Sequence, residues 1–375
     1  MTRTERLLRE LIALPSVNPA FLPAEDPRAG EQPVAEFLAA TAARLGLEVD
    51  FQPVFYGRNN LFVRLTPPGK PRRKILLAPH MDTVNADPKQ FRPERKHGRL
   101  YGRGACDTKG SVAAMVTALC ELAESQQRPQ ETEIIFSGLI DEENAQAGSR
   151  ALVGRGLKAD LAIVGEPTRL QAITAHKGSL FLRLTATGKA AHGSCPEAGR
   201  NAVHTMARVV DSLETRYAAQ LRRRRHPLLG CATVSVGTIS GGTQANIVPD
   251  RCESLVDRRT LPGETERGVC RELAAFLRRH SLSAKVDSKR AAPCEPLETD
   301  PKLPLVARFL ACVGQRKPAG VRYFCDASVL GQGGIPSLVF GPGDIAQAHT
   351  ADEWISLDSL ERAKDILLRF LRSFS

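Results

Sequence analysis

Lys74-Ile75-Leu76-Leu77-Ala78-Pro79-His80-Met81-Asp82 is an apolar run closed by a histidine and an aspartate. A short apolar run without polar alternation is a strand buried on both faces, the condition at the centre of an α/β sheet. It ends on an imidazole. The pattern recurs twice: Glu133-Ile134-Ile135-Phe136-Ser137 leads into Asp141-Glu142-Glu143, and Leu161-Ala162-Ile163-Val164 ends at Gly165-Glu166. Open α/β sheets place their sites just beyond the C-terminal ends of such strands. Polar groups that share this position are therefore expected to converge.

Thr2-x-x-Glu5 reads as a capping box ahead of a helix whose buried stripe is Leu7, Leu8, Leu11 and Ile12. A second helix is expected over about 31–45, stopped by Gly46, and a third over about 110–123 carrying Val112, Met115, Val116, Leu119 and Leu122. Asn60–Leu65 reads as another strand. From about residue 176 the pattern changes. Strands at 180–187, 232–239, 252–257 and 284–286 alternate with helices at 200–213 and 265–278, giving βαββαβ, the split βαβ order of a ferredoxin-like domain. Helices at 303–313 and 357–371 and a strand at 337–340 then complete the first domain. The expected architecture is an α/β catalytic domain formed by residues 1–176 and 289–375, with an inserted ferredoxin-like domain at 177–288.

The bulk properties exclude several classes. With 375 residues, 42% of them hydrophobic and 25% charged, the chain suits a soluble globular protein of about two domains. It contains no apolar run of about 18 residues, so no membrane span is expected. Charges within the N-terminal amphipathic pattern argue against a signal peptide. The nine cysteines are scattered singly, which fits reduced thiols in a cytoplasmic enzyme, and Cys106 is expected to be a buried, inert thiol. A net charge of +11 and the run Arg222-Arg223-Arg224-Arg225-His226 suggest nucleic acid. The run lacks interleaved aromatics, however, and only 5% of residues are aromatic, so a solvated loop is expected and no nucleic-acid partner.

The chemistry lies in His80, Asp107, Glu142, Glu143, Glu166 and His349. Two imidazoles among carboxylates suit Zn²⁺ or Co²⁺ better than Mg²⁺. Two such ions need a shared ligand, and the two-oxygen carboxylate of Asp107 supplies one. His80 with Glu166 and His349 with Glu143 then give each ion three protein ligands, leaving a position open for water. Glu142 is the expected general base, because adjacent acids do not easily turn onto the same metal. Alone, the pair would read as solvated loop acids; its place after a buried strand in this series argues for function. Asp82, two residues after His80, is placed to accept the other imidazole N–H and fix its tautomer.

With Pro79-His80-Met81-Asp82-Thr83-Val84 at one end and Ala348-His349-Thr350-Ala351-Asp352-Glu353 at the other, the chain resembles the zinc aminoacylase and carboxypeptidase family. That family includes acetylornithine deacetylase, succinyl-diaminopimelate desuccinylase and carboxypeptidase G. The resemblance implies two zinc ions per subunit, replaceable by cobalt, in a two-zinc aminopeptidase-like catalytic domain. It also implies an inserted lid or dimerisation domain, a homodimer, and a cis peptide after Asp107. Ala191-His192-Gly193-Ser194 matches the motif whose His reaches the scissile carbonyl, often from the partner subunit. Gly241–Pro249 matches the segment whose Asn, here Asn246, lies near the substrate. Asp257-Arg258-Arg259 makes Arg259 the expected grip on a substrate carboxylate. Gly341-Pro342-Gly343 either presents backbone N–H groups to substrate or is a simple turn. The expected reaction is cleavage of the amide of an N-acyl amino acid. The alternatives are a carboxypeptidase or dipeptidase acting on a small peptide, and a non-catalytic binding homologue.

Overall fold

Six strands form a continuous run in the main sheet of the computed structural model, which describes residues 1–289 and 292–375. In spatial order they are Glu48–Phe55, Arg58–Leu65, Thr132–Gly138, Arg73–Pro79, Leu161–Gly165 and Ser337–Val339. The first three pair antiparallel and the last four parallel. Every residue of Thr132–Gly138 and of Leu161–Gly165 is buried, as are Ile75 to Pro79, which is why these strands read as apolar runs. Leu76 stands opposite Ile135 on one side and Ala162 on the other. The three strands therefore end level, and so do the loops that follow them.

The helix Lys109–Glu124 is buried around most of its circumference, with the helices Arg3–Ala13 and Leu357–Arg372 packed against it. Thr2 caps the first of these by accepting from Glu5 N at 3.1 Å. The strand Glu48–Phe55 was not foreseen. It is the edge of the sheet: Val49 and Phe51 turn in toward the core, while Gln52 and Pro53 interrupt the apolar alternation.

The chain divides into two units: residues 1–174, 299–319 and 325–375 form one, and residues 175–298 with 320–324 the other. Arg290 and Ala291, which the sequence reading assigns to the resumed catalytic domain, lie outside the described residues. The second unit holds a four-stranded antiparallel sheet in the order Thr233–Gly241, Arg251–Thr260, Gly178–Thr187, Lys285–Ser288. Numbered along the chain that order is 2-3-1-4, the split βαβ topology. Leu180, Leu182 and Leu184 pack with Met206, Val209, Leu273 and Phe276 of the helices Ala202–Ser212 and Glu266–Arg279. The arginine run is less loose than expected. Arg222 ends a helix, and Arg224 pairs through both Nη atoms with Glu272 at 2.9 and 2.7 Å.

Candidate metal centre and active site

His80, Glu142, Glu143 and Glu166 follow strands of the main sheet, Asp107 stands just before the helix Lys109–Glu124, and His349 lies between the short helix Ile345–Gln347 and the strand Trp354–Ser356. His80 directly follows the strand Arg73–Pro79 and is carried beside the next strand's exit, since Met81 N donates to Leu139 O at 2.8 Å. The structure brings His80, Asp107, Glu142, Glu143, Glu166 and His349 together. Asp107 lies between the two imidazoles: Oδ1 is 3.0 Å from His80 Nε2 and Oδ2 is 3.3 Å from His349 Nε2. Glu143 Oε2 is 3.1 Å from His349 Nε2, and Glu166 Oε1 is 3.9 Å from His80 Nε2. The adjacent acids diverge. Glu143 groups with His80 and Asp107, whereas Glu142 groups with His80 and Glu166, each set having ligand atoms within 4.8 Å of one another.

The electrostatics favour positive charge within this cluster. Burial, reinforced by the Glu166 charge, pushes the Glu142 carboxyl well above its usual range; burial and Asp107 do the same to Glu166. Glu143 is pushed up to about 7 by burial and by Asp107. His349 is raised to about 10 by its bonds to Asp107 and Glu143. Burial opposes a charged His80, but its bonds to Asp107 and Asp82 and the charge of Glu166 hold it well above normal. Buried carboxylates crowded this closely hold protons unless a cation replaces them. A donor set of two imidazoles and several carboxylate oxygens fits divalent metal.

The supports of these groups are as informative as the groups themselves. His80 Nδ1 is 3.0 Å from the main-chain oxygen of Asp82 and 3.4 Å from its Oδ1. The carboxylate thus shares a role expected of it alone. Its nearer partners are Asn18 Nδ2 at 2.8 Å and the N–H groups of Glu142 and Glu143, both at 3.1 Å. Asn18 also donates to Asp141 at 2.9 Å, and sequence reasoning missed it. Glu353 was quoted only as part of a motif. It is buried, and its carboxylate accepts from Arg103 at 2.7 Å and from the N–H groups of Gly104, Cys106 and Asp107 at 3.0, 2.8 and 3.0 Å. The Asp107–Thr108 peptide is cis. Cys106 is buried, and burial together with Asp107 raises its thiol far above the ordinary range.

Gly341 needs correction as a donor to substrate. Its N–H is given to Thr168 Oγ1 at 3.1 Å. A Cβ at this position would lie 2.5 Å from the Glu166 carbonyl oxygen, so the glycine serves close packing against the segment that carries Glu166.

His192, Asn246 and Arg259 lie in the second unit. His192 pairs with Ile247 across an antiparallel bridge, and Gly193 N donates to Asn246 O at 2.7 Å. A Cβ on Gly193 would lie 2.9 Å from that oxygen, which explains the glycine after the histidine. The exposed His192 ring accepts from Ser194 N through Nδ1 at 3.2 Å. The neutral ring then carries its proton on Nε2. Arg259 uses Nε and Nη2 on Asp257, at 2.9 and 3.0 Å; Nη1 is not part of that pair.

The family model "Peptidase family M20/M25/M40" matches residues 76–373. The chain is 32% identical over 383 residues to the acetylornithine deacetylase of Proteus mirabilis (strain HI4320), covering 98% of this chain and 96% of that one. It is also 32% identical over 321 residues to the acetylornithine deacetylase of Myxococcus xanthus, covering 82% and 81%. Solved structures share the fold. An M20 family metallo-carboxypeptidase of Sulfolobus solfataricus, Sso-CP2, superposes with a TM-score of 0.76 at 18% identity, covering 100% of this chain and 99% of that one. The aminopeptidase PepT of Bacillus cereus gives 0.77 at 21%, covering 99% and 98%. On the length of these matches and the metal-ligating geometry they enclose, the chain belongs to peptidase family M20/M25/M40 and is a hydrolase acting on amide or peptide bonds.

Proposed function

We propose that the protein is a zinc-dependent deacylase that cleaves the amide of N-acyl amino acids, with N-acetyl-L-ornithine the first substrate to try. The observation that carries this reading is the Asp107 carboxylate, split between His80 at 3.0 Å and His349 at 3.3 Å, in a chain that aligns almost end to end with acetylornithine deacetylases. Asp107 would be shared by two metal ions, with His80 and Glu166 on one and His349 and Glu143 on the other. Zinc or cobalt bound there supplies Lewis acidity for the substrate carbonyl and lowers the pKa of water.

The residues of the chain then have separate tasks. Glu142 takes the proton of the attacking water and returns it to the leaving nitrogen. Asp82 holds both the His80 ring and the turn that carries Glu142. His192, with its proton on Nε2, donates to the oxyanion as it develops, and Asn246 is held beside it by the Gly193 bond. Arg259 binds the substrate carboxylate, with Asp257 fixing its plane. The second unit serves as lid and dimerisation domain of a cytoplasmic homodimer.

A metallo-carboxypeptidase or dipeptidase is the second reading, favoured by the fold shared with Sso-CP2. The deciding experiment is an assay of zinc- or cobalt-loaded protein against N-acetyl amino acids, N-succinyl-diaminopimelate and dipeptides. Turnover of N-acetyl amino acids in clear preference to dipeptides supports the deacylase. Hydrolysis of dipeptides alone overturns it.

A further inference from the structure

The turn bearing Glu142 and Glu143 is held from two sides, with Asp82, Asn18 and Glu31 on one of them. On the other, Gln146 Nε2 donates to the Glu142 carbonyl at 2.8 Å and Gln146 N to the Asp141 carbonyl at 2.7 Å. Ser149, in the helix Ala147–Gly154, has its hydroxyl 3.1 Å from the Gln146 carbonyl and 2.5 Å from Asp326 Oδ1. Asp326 stands at the N-terminus of the helix Ala327–Gln332 and is 1% exposed. Its other oxygen, Oδ2, has no hydrogen-bond partner among the described residues. Burial raises this carboxyl to about 7 despite the Ser149 bond, and its charge is felt by Glu142 and by Glu166.

An acid so placed is costly to keep, because burial strips a carboxyl of water. It also bears on one hydroxyl. Ser149 has a single proton and two acceptors within reach, so the bond it makes to Gln146 depends on what Asp326 offers in return. From Asp326 the chain runs through Ser149 to the Gln146 carbonyl, and from the Gln146 side-chain amide to the Glu142 carbonyl, without touching a proposed metal ligand.

We propose that Asp326 is a positioning residue that, through Ser149 and Gln146, fixes the turn that aims the Glu142 carboxylate. This rests on the reading of Glu142 as the base. Its effect falls on turnover and not on substrate affinity, because no member of the chain has a part in binding substrate in that reading. A base displaced by about an ångström loses on the order of 10²-fold in rate.

The test compares Asp326→Ala, Asp326→Asn, Ser149→Ala and Glu142→Ala at saturating zinc, on N-acetyl-L-ornithine or the best substrate of the panel. Asp326→Ala should lower kcat by roughly 10- to 100-fold, with KM within about threefold and zinc content unchanged. Asp326→Asn should recover to within about threefold of wild type, since an amide offers both donor and acceptor at the same place. Ser149→Ala should fall between them. A wild-type kcat in Asp326→Ala, a change confined to KM, or an Asp326→Asn variant as slow as Asp326→Ala overturns the proposal. If Asp326→Ala does not fold, a wild-type kcat in Ser149→Ala overturns it equally. Full activity of Glu142→Ala shows instead that the reading of the base has failed; an inactive Glu142→Ala beside a normal Asp326→Ala removes Asp326 alone.

Discussion

The Asp82 carboxylate accepts the main-chain N–H of Glu142 at 3.1 Å. One side chain thus joins the histidine at the end of one strand to the acidic turn at the end of its neighbour, and it is wholly buried. Asp82→Asn puts an amide N–H where an acceptor is needed. We expect zinc affinity to fall about 10- to 100-fold, with a comparable loss of activity. Competition with a chelator measures the first, and wild-type zinc retention would count against the joint.

Glu142→Gln keeps the shape of the side chain and removes its basicity. Metal content should stay at wild-type level while kcat falls on the order of 10²- to 10⁴-fold. Elemental analysis beside steady-state kinetics separates the two effects. Loss of metal together with activity would make Glu142 a ligand instead.

The metal-free protein should lose stability as pH rises. His349 is raised from 6.5 to about 10 by its bonds to Asp107 and Glu143, and Glu143 from 4.5 to about 7 by burial and Asp107. Both bind protons more tightly when folded. Their contribution is therefore whole at low pH and drains away through pH 4.5 to about 7 for Glu143 and pH 6.5 to about 10 for His349. In chelator-treated protein the Tm gap between wild type and His349→Ala should narrow with rising pH. Zinc, which competes with the same protons, should bind more tightly from about pH 6 to about pH 8. A gap that widens with pH contradicts this.

If His192 acts across a subunit boundary, two inactive variants should rescue one another. Glu142→Ala and His192→Ala, mixed with demonstrated subunit exchange, should recover up to about a quarter of wild-type activity, since half the dimers then hold one intact site of two. Exchange without recovery places His192 in its own chain's site or outside the chemistry.

The parts legible in the sequence were those written in burial and in residue chemistry. The apolar runs before His80, Glu142 and Glu166 announced a buried sheet and its C-terminal edge. The βαββαβ order of elements from about residue 176 announced the second unit. What stayed hidden depends on tertiary contact. Asn18, Asp326 and Glu353 look like loop or cap residues until the fold sets them against Asp82, Ser149 and Asp107 respectively. The Gly341 amide could not be known to be engaged, because its partner Thr168 is 173 positions away.

Glu353 gathers the amides of the segment 104–107 from a distance of some 250 positions, and His349 lies just before it. During synthesis on the ribosome the strands that lead to His80, to the acidic turn and to Glu166 are all made long before either residue appears. The pocket must therefore pass through translation without its shared carboxylate tethered and without one of its imidazoles. A chain released before residue 349 has lost both, whatever the quality of the fold behind it. The ligand cluster is thus complete only once residues 349–353 are made, and products truncated before them should hold divalent metal poorly.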